Sequence, residues 1–165
     1  MQTDEKKFGF MPVYNKESKF LILGSFPSVK SREEAFYYGN KQNRFWKVLS
    51  SFFHVALPNS IDKKRELLLQ KHIALWDIVE SCNIVGSLDS AIQNYALVDL
   101  MPILQNSQIH AIACNGATAY KFYLKRYSKL QYPCYKLPST SPANTRFSAE
   151  AWYQVLAKIE KKEYF

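Results

Sequence analysis

Four short apolar runs separated by helix-like segments constrain the fold of this chain more than any other feature. The runs are FLIL (20–23), HIALWD (72–77), IHAIAC (109–114) and CYKLP (134–138). Each has the length and the continuous apolar character of a buried strand. Because strands that alternate with helices build parallel sheets covered on both faces, we predict an α/β fold around a central four-stranded, mostly parallel sheet.

Helices are predicted between these strands from the spacing of apolar side chains. After Asn43, which is a candidate N-cap, apolar residues recur at i, i+3, i+4 and i+7. Further helices are predicted over about 60–70 and 97–104. Another helix begins at Asn115, after the third strand, and the last begins at Ser148.

No internal repeat, low-complexity segment or Gly/Ser-rich linker divides the chain, so we expect a single domain over residues 1–165. The first ten residues, MQTDEKKFGF, lack the apolar core of a signal peptide. No run approaches the roughly 18 apolar residues of a membrane span. We therefore expect a monomer in the cytoplasm, associated with the nucleoid if the source is a prokaryote, and no membrane partner.

The titratable residues give no pattern of a metal site. Three cysteines, Cys82, Cys114 and Cys134, are widely separated and form no CxxC pair. A disulfide framework or a cysteine-bound metal therefore lacks its usual ligands. The three histidines also have no metal-ligand spacing, so no metal is predicted.

The charge balance favours a polyanionic partner. The chain carries 22 basic and 14 acidic side chains, a net charge of +8, and 15% of its residues are aromatic. Basic side chains neutralise phosphates and aromatic rings stack on bases. Lys121, Lys125, Arg126 and Lys129 share one predicted helix, where they either contact phosphates or form an ordinary solvated face.

Small and polar residues follow each predicted strand. These segments are GSFPS (24–28), DIVES (77–81), NG (115–116) and PSTSPAN (138–144). In open parallel sheets, ligands bind beyond the carboxyl ends of the strands. The functional residues are therefore expected to converge at one edge of the sheet.

Taken singly, these motifs have ordinary structural explanations. GSFPS suits a turn, Asn115 with Gly116 a cap, and Asn43 an N-cap. The hydroxyls of residues 139–141 suit either a Ser/Pro loop or contacts with phosphate oxygens. Two consecutive tyrosines, Tyr37 and Tyr38, cannot both point into one core, so one is expected to be exposed.

Five motifs in order resemble the uracil-DNA glycosylase superfamily. They are GSFPS (24–28), YYGNKQNRFW (37–46), LWDIVESCNIVGSLDSAI (75–92), ACNGATA (113–119) and LPSTSPAN (137–144). Within it, the chain looks most like the hypoxanthine-DNA (deoxyinosine) glycosylase branch, which is related to the mismatch-specific uracil/thymine glycosylases. The resemblance implies a three-layer α/β/α sandwich that flips a nucleotide out of DNA and hydrolyses its N-glycosidic bond. Water is the nucleophile, so no cofactor is implied, and three scattered cysteines exclude the iron–sulfur branch.

The resemblance also implies roles for individual residues. Phe26 stands where mismatch uracil glycosylases place a water-activating Asn, and in the hypoxanthine branch that role falls to an Asn near the NxFW element. Asn43 is the preferred candidate here and Asn40 its rival. Tyr38 is implied to stack on the flipped base and Asn115 to hydrogen-bond its edge.

Two loops complete the implied site. The first binds the base through its backbone N–H groups and the Phe26 ring, and comprises Gly24, Ser25, Phe26, Pro27 and Ser28. The second clamps DNA and fills the gap left by the flipped base, and comprises Ser139, Thr140, Ser141, Pro142, Ala143 and Asn144. The implied partner is double-stranded DNA with a damaged or mismatched base, with single-stranded DNA as an alternative.

Hypoxanthine is the favoured base, while uracil and xanthine stay open. Two other classes of function also stay open. The missing activating residue at Phe26 is compatible with a nucleic-acid-binding module of the same fold without catalysis. An open α/β sheet also suits a small-molecule enzyme, although no GxGxxG motif, P-loop or Ser/His/Asp set supports one.

Overall fold

The computed structural model describes residues 5–162, and the predicted strands and helices alternate in it. In that range no helix is both long and apolar enough to cross a membrane. The strands are β1 (Lys6–Phe8), β2 (Phe20–Gly24), β3 (Ile73–Asp77), β4 (Val79–Asn83), β5 (Gln93–Leu97), β6 (Ile112–Asn115) and β7 (Cys134–Leu137). The helices are α1 (Val29–Glu34), α2 (Phe45–Phe53), α3 (Ile61–Gln70), α4 (Met101–Gln105), α5 (Ala117–Tyr127) and α6 (Ala149–Lys161).

The central sheet consists of the four predicted strands in the order β3-β2-β6-β7. All three strand pairs are parallel, which confirms the predicted fold class. In the register of β2 with β3, Gly24 lies opposite Asp77, while on the other side of β2 Leu23 lies opposite Cys114. The carboxyl ends of β2, β3 and β6 therefore meet at one edge of the sheet.

Alternate residues of each strand face opposite layers of helices, as strand geometry requires. In β2, Phe20 and Ile22 belong to a buried cluster that includes side chains of α2, α3 and α6. Leu21 and Leu23 belong to a second cluster with side chains of α4 and α5. Because both faces of the sheet are buried against apolar side chains, the strands read as continuous apolar runs in the sequence.

A second, antiparallel sheet in the order β1-β4-β5 was not predicted. The segment DIVES, expected only as a loop, continues one residue after β3 into β4. The largely exposed strand β5 (QNYAL) and the mostly buried β4 (VESCN), whose buried residues include Ser81, both lack the apolar run that marks a buried strand. The helix predicted over 97–104 is also partly wrong, since Leu97 ends β5 and α4 begins only at Met101.

The predicted helix starts differ in how closely they match the structure. Ser148 caps α6 as predicted, since its hydroxyl accepts from the N–H of Ala151 at 3.3 Å. At α2 the N-cap position is Arg44 rather than Asn43. The Asn43 Oδ1 nevertheless accepts from the Phe45 N–H at 2.9 Å, so its side chain still satisfies a free backbone donor at this end.

The basic side chains of α5 are partly engaged within the protein. The Arg126 guanidinium donates to the carbonyl oxygens of Leu97 at 2.7 Å and Val98 at 2.8 Å. The Lys125 ammonium donates to the hydroxyl of Tyr95. These two cations hold the end of β5 against α5, so they do not form the free phosphate-binding face that the sequence suggested.

Candidate active site

The carboxyl ends of β2, β3 and β6 border a cavity of about 420 Å³, a size typical of sites for small ligands. Every site residue named from the sequence lines it. These are Gly24, Ser25, Phe26, Pro27, Ser28, Tyr38, Asn40, Asn43, Asn115, Ser139, Thr140, Ser141, Pro142, Ala143 and Asn144. The cavity thus gathers segments that lie up to 120 positions apart in the sequence.

Gly24 allows two polar groups to approach the end of β2. A Cβ atom at this position would lie 2.3 Å from Asp77 Oδ1 and 2.7 Å from the Tyr38 hydroxyl oxygen. Both distances are far shorter than a carbon–oxygen contact permits. Glycine is therefore required here because Asp77 and Tyr38 occupy the space of a side chain.

Asp77 is a buried carboxyl group in the floor of the cavity. The residue is 4% exposed, and its Oδ2 has no hydrogen-bond partner among residues 5–162. Burial raises the pKa of Asp77 from its usual 3.8 to about 7, and the negative charge of Asp89 adds to the rise. Near neutral pH this carboxyl group therefore exists in both its protonated and its ionised form.

The sequence analysis did not assign Asp77 a role. The segment DIVES was noted only as a strand end. The sequence does place an acidic residue directly after the apolar residues of β3. Because burying a carboxyl group usually lowers the stability of the fold, such a residue indicates a functional role.

Asn115 has a fixed orientation at the end of β6. Its Nδ2 donates to the Tyr38 hydroxyl at 3.1 Å and to Thr140 Oγ1 at 2.9 Å, while its Oδ1 accepts from the Thr140 N–H at 3.0 Å. A backbone N–H can only donate, so the amide oxygen must face Thr140. With both amide hydrogens engaged, Asn115 can offer a ligand only an acceptor, the remaining lone pair of Oδ1.

Gly116 lets the chain turn from β6 into α5 beside Asn115. Its φ of +100° is one that residues with side chains rarely adopt, and an added Cβ would lie 3.1 Å from the Cβ of Ser139. Its N–H donates to the carbonyl oxygen of Leu137 at 2.8 Å. The glycine thus brings the loop after β7 close to the end of β6.

The hydroxyl groups of the 138–144 loop order the loop itself. Thr140 is fully buried, so its side chain serves Asn115 and does not reach the surface where the sequence analysis placed it against DNA. Ser139 Oγ accepts from the Ser141 N–H and Ser141 Oγ from the Ala143 N–H, each at 3.2 Å. The exposed tip of the loop is formed by Pro142 and Ala143.

Arg44 joins this loop to the start of α2, a role that the sequence analysis missed. Its N–H donates to the Thr140 carbonyl oxygen at 3.0 Å. Its guanidinium donates to the carbonyl oxygens of Ser141 at 3.2 Å and Asn144 at 3.1 Å. Arg44 therefore fixes the loop relative to the neighbouring Asn43.

The two consecutive tyrosines point to different places, but the prediction that one of them is exposed is wrong, since one is buried and the other half-buried. Tyr37 is buried and its hydroxyl donates to the Met11 carbonyl oxygen at 2.7 Å. Tyr38 is half-buried at the cavity, with its ring stacked on Phe45 at a centroid distance of 4.1 Å. Burial and then the charge of Asp77 raise the pKa of the Tyr38 phenol, so it is neutral at physiological pH.

Asn40 and Asn43 are held in the same way. The Oδ1 of Asn40 accepts from the Gln42 N–H and that of Asn43 from the Phe45 N–H, each at 2.9 Å. Each amide oxygen keeps a second lone pair that can accept from water. The geometry thus holds both amide oxygens against the backbone and leaves the two side chains equivalent as candidates to orient a water molecule.

The first loop is also tied into the fold by its serines. Ser28 Oγ accepts from the Ser31 N–H at 3.2 Å and caps α1, a helix that was not predicted. Ser25 Oγ donates to Asp89 Oδ1 at 2.6 Å. Across residues 5–162, no three His, Cys, Asp or Glu side chains are grouped as metal ligands would be.

Comparison with known proteins places this architecture in a family. A profile described as Uracil DNA glycosylase superfamily matches residues 11–160. A hypoxanthine DNA glycosylase of Methanosarcina acetivorans is 33% identical over 144 residues, covering 86% of this chain and 90% of the relative. One of Methanosarcina barkeri is 34% identical over 90 residues, 54% of this chain and 57% of the relative.

A solved structure shares the whole fold. The solution NMR structure of a proposed uracil DNA glycosylase from Methanosarcina acetivorans aligns with a TM-score of 0.82 at 31% identity. The alignment covers 94% of this chain and 99% of that one. The family resemblance read from the five sequence motifs is therefore confirmed, and the chain belongs to the uracil DNA glycosylase superfamily.

Proposed function

We propose that this chain is a monofunctional DNA glycosylase that flips a deaminated base into the cavity and hydrolyses its N-glycosidic bond, with hypoxanthine as the favoured base. The relatives named hypoxanthine DNA glycosylase support this assignment. The observation that carries it is the fixed orientation of Asn115, which presents only an acceptor to the cavity.

A hydrogen-bond acceptor at this position distinguishes deaminated bases from adenine and cytosine. Deamination of adenine converts the N1 acceptor into the N1–H donor of hypoxanthine, and deamination of cytosine converts N3 into the N3–H of uracil. Asn115 Oδ1 can accept from either N–H, whereas an unmodified adenine or cytosine would place a lone pair against it. Leaving a buried acceptor against an acceptor costs roughly 1–3 kcal/mol.

The surrounding groups fit the remaining steps of such a reaction. The Tyr38 ring, already supported by Phe45 on one side, has its opposite face for stacking on the base. The backbone N–H groups of Ser25, Phe26 and Ser28 can stabilise charge on the departing base. Asn43, or its rival Asn40, orients water towards C1′ of an oxocarbenium-like sugar, so positioning and electrostatics supply most of the rate enhancement.

The DNA side of the site lies at the 138–144 loop. Its exposed tip, Pro142 and Ala143, enters the minor groove and fills the space left by the flipped base. The net charge of +8 supports binding to the backbone of double-stranded DNA. The enzyme acts as a monomer in the cytoplasm.

The test is a panel of duplexes that carry one hypoxanthine, uracil, xanthine or unmodified base in the same sequence. Strand cleavage after alkali reports an abasic site. We expect cleavage with hypoxanthine, weaker or no cleavage with uracil, and none with the unmodified bases.

The second candidate is a DNA-binding module without catalysis, favoured by Phe26 at the position where other branches carry a water-activating Asn. Under this alternative the protein would bind the modified duplexes, and no base in the panel would be released.

A further inference from the structure

We propose that Asp77, as a neutral carboxylic acid, donates a proton to the departing base and is a catalytic residue of the reaction. This inference rests on the proposed function. It assigns a proton donor to a site whose other buried polar side chains are an amide and hydroxyl groups, which cannot give up a proton near neutral pH.

The position of Asp77 is the first argument. In the register of the sheet it lies opposite Gly24, and its Oδ1 occupies the space above that glycine beside the Tyr38 hydroxyl. Asn115 also binds that hydroxyl, so the carboxyl group and the base-reading amide flank the same phenol. Asp77 and Asn115 therefore border the same space, which a base held by Asn115 would occupy.

The lack of a partner is the second argument. The buried polar side chains that line the cavity are Ser31, Asp77, Asn115 and Thr140. Of these, only Asp77 has a polar atom, Oδ2, without a hydrogen-bond partner in the described part of the chain. A buried carboxyl group that satisfies no structural contact destabilises the fold, which favours a role with a ligand.

Burial, and after it the charges that face Asp77, raise the pKa of its carboxyl group and favour the protonated form. Asp89, from the loop after β4, adds a negative charge, and the phenols of Tyr37 and Tyr38 are neutral. Among residues 5–162, the cationic side chain that lines the cavity is that of Lys30, which is 51% exposed and pairs with Glu34 at 3.7 Å. Bound DNA would add further negative charge, so the proton is retained at least as well in the complex as in the free protein.

The reaction step balances with water as the only co-reactant. The C1′–N9 bond breaks and its electron pair passes to the base, which takes the proton of Asp77 on a ring nitrogen. Water adds to C1′ and releases a proton, which restores the carboxylic acid. The products are hypoxanthine and an abasic deoxyribose. A purine leaves poorly as an anion, so protonation lowers the barrier in the manner of general acid catalysis.

The test is the pH profile of single-turnover hypoxanthine release by the wild type, Asp77→Asn and Asp89→Asn. In the wild type the rate should be constant below the apparent pKa of Asp77 in the complex, at or above pH 7, and fall tenfold per pH unit above it. Asp77→Asn keeps a hydrogen-bond donor but cannot give a proton. It should lower the rate at pH 6 by about 10²–10⁴-fold and lose the alkaline fall.

Asp89→Asn tests whether Asp77 acts as the acid, because a purely structural role of Asp77 would leave the pH of the alkaline fall unchanged in this variant. Removing the negative charge lowers the pKa of Asp77, so the alkaline fall should shift to lower pH. Glu80→Gln, which removes an exposed carboxylate on β4 outside the cavity, should leave the profile unchanged.

The outcomes separate this inference from the proposed function. Wild-type protein that releases no hypoxanthine at any pH would overturn the proposed function and, with it, the inference. Wild-type release together with a near-normal rate in Asp77→Asn would overturn the inference alone. A slow Asp77→Asn variant whose profile still falls in the wild-type pH range would likewise exclude Asp77 as the proton donor.

Discussion

Two side chains at the carboxyl ends of β3 and β6, the strands on either side of β2, differ in how many hydrogen bonds the fold gives them. Asn115 at the end of β6 has three hydrogen bonds that fix its amide. Asp77 at the end of β3 has an oxygen with no partner among residues 5–162. The hydrogen bonds of Asn115 orient its amide, whereas the missing partner of Asp77 leaves its carboxyl group available to react. Both side chains are short and lie beside the Tyr38 hydroxyl.

The burial of Asp77 should make stability depend on pH. Its pKa of about 7 in the folded state exceeds its usual 3.8, so unfolding releases a proton between these values and stability falls as pH rises through this window. Asp77→Asn removes this cost. We expect its free energy of unfolding at pH 8 to exceed that of the wild type by roughly 2–4 kcal/mol, and to match it near pH 4.

Urea unfolding of both proteins at pH 4, 6 and 8 measures this difference. An Asp77→Asn variant that is less stable than the wild type at pH 8 would show that the carboxylate is structurally paired.

Asn43 should contribute to catalysis beyond its contact with the Phe45 N–H. If it orients the attacking water, Asn43→Ala should lower the single-turnover rate by about 10²–10³-fold, the effect of losing one preorganised polar group. Loss of the contact alone should cost only about 1 kcal/mol of stability. Excision kinetics and thermal unfolding, measured side by side, distinguish the two effects.

Asn40→Ala is the matched control, because Asn40 makes the same kind of contact with the Gln42 N–H. A folded Asn43→Ala protein with a near-normal rate would remove Asn43 from the mechanism. A large loss in Asn40→Ala would then transfer the role to Asn40.

At the scale of elements, the site depends on how the 138–144 loop is held against α2. Arg44 donates to the carbonyl oxygens of Ser141 and Asn144 and stacks over Phe147 at 4.8 Å. Both hydrogen bonds come from Nη1, and the planar guanidinium that carries it lies over the Phe147 ring, an arrangement that a lysine ammonium does not reproduce. The loop that is proposed to enter DNA is thus positioned by a side chain outside the cavity lining.

Arg44→Ala should weaken binding of a duplex that contains an abasic site by about tenfold, from the loss of roughly 1–2 kcal/mol of hydrogen bonding. Arg44→Lys keeps the charge but not the hydrogen-bond geometry. Its affinity for the same duplex should lie between those of the wild type and Arg44→Ala. Fluorescence anisotropy measures both affinities. Wild-type affinity in Arg44→Lys would mean that the charge, and not the ordering of the loop, matters.

The elements that could be predicted from the sequence are those whose burial requires a continuous run of apolar residues. The four central strands are buried on both faces and appear as apolar runs. β5 is largely polar and half-exposed, so it carries no such pattern. In the site, Asn115 and the loop residues were found because they follow strands. Asp77 was missed because its significance depends on the absence of a partner in three dimensions, which no local pattern records.

At the scale of the whole molecule, the basic side chains differ in whether they bond within the protein or lie where DNA could reach them. Arg126 and Lys125 are engaged in holding β5. Lys30 lines the cavity, and Lys71 lies before the amino end of β3, at the opposite edge of the sheet. The cations that meet DNA should therefore be those at the cavity edge.

Affinity for undamaged duplex should fall steeply with salt, with a log–log slope of about −0.9 for each neutralised phosphate. Lys30→Gln should reduce this slope by about one phosphate, while Lys71→Gln should leave it unchanged. Titrations at several salt concentrations measure the slopes. A flat dependence in the wild type would mean that the net charge is not used for DNA.

The most direct test of the account is to quantify the free base released in single turnover from duplexes that differ only in hypoxanthine, uracil or adenine at one position. Because Asn115 presents an acceptor to the base edge, the account predicts release of hypoxanthine and none of adenine. The relatives named hypoxanthine DNA glycosylase favour weaker or no release of uracil. Robust release of uracil without detectable hypoxanthine, or release of adenine at a comparable rate, would contradict it.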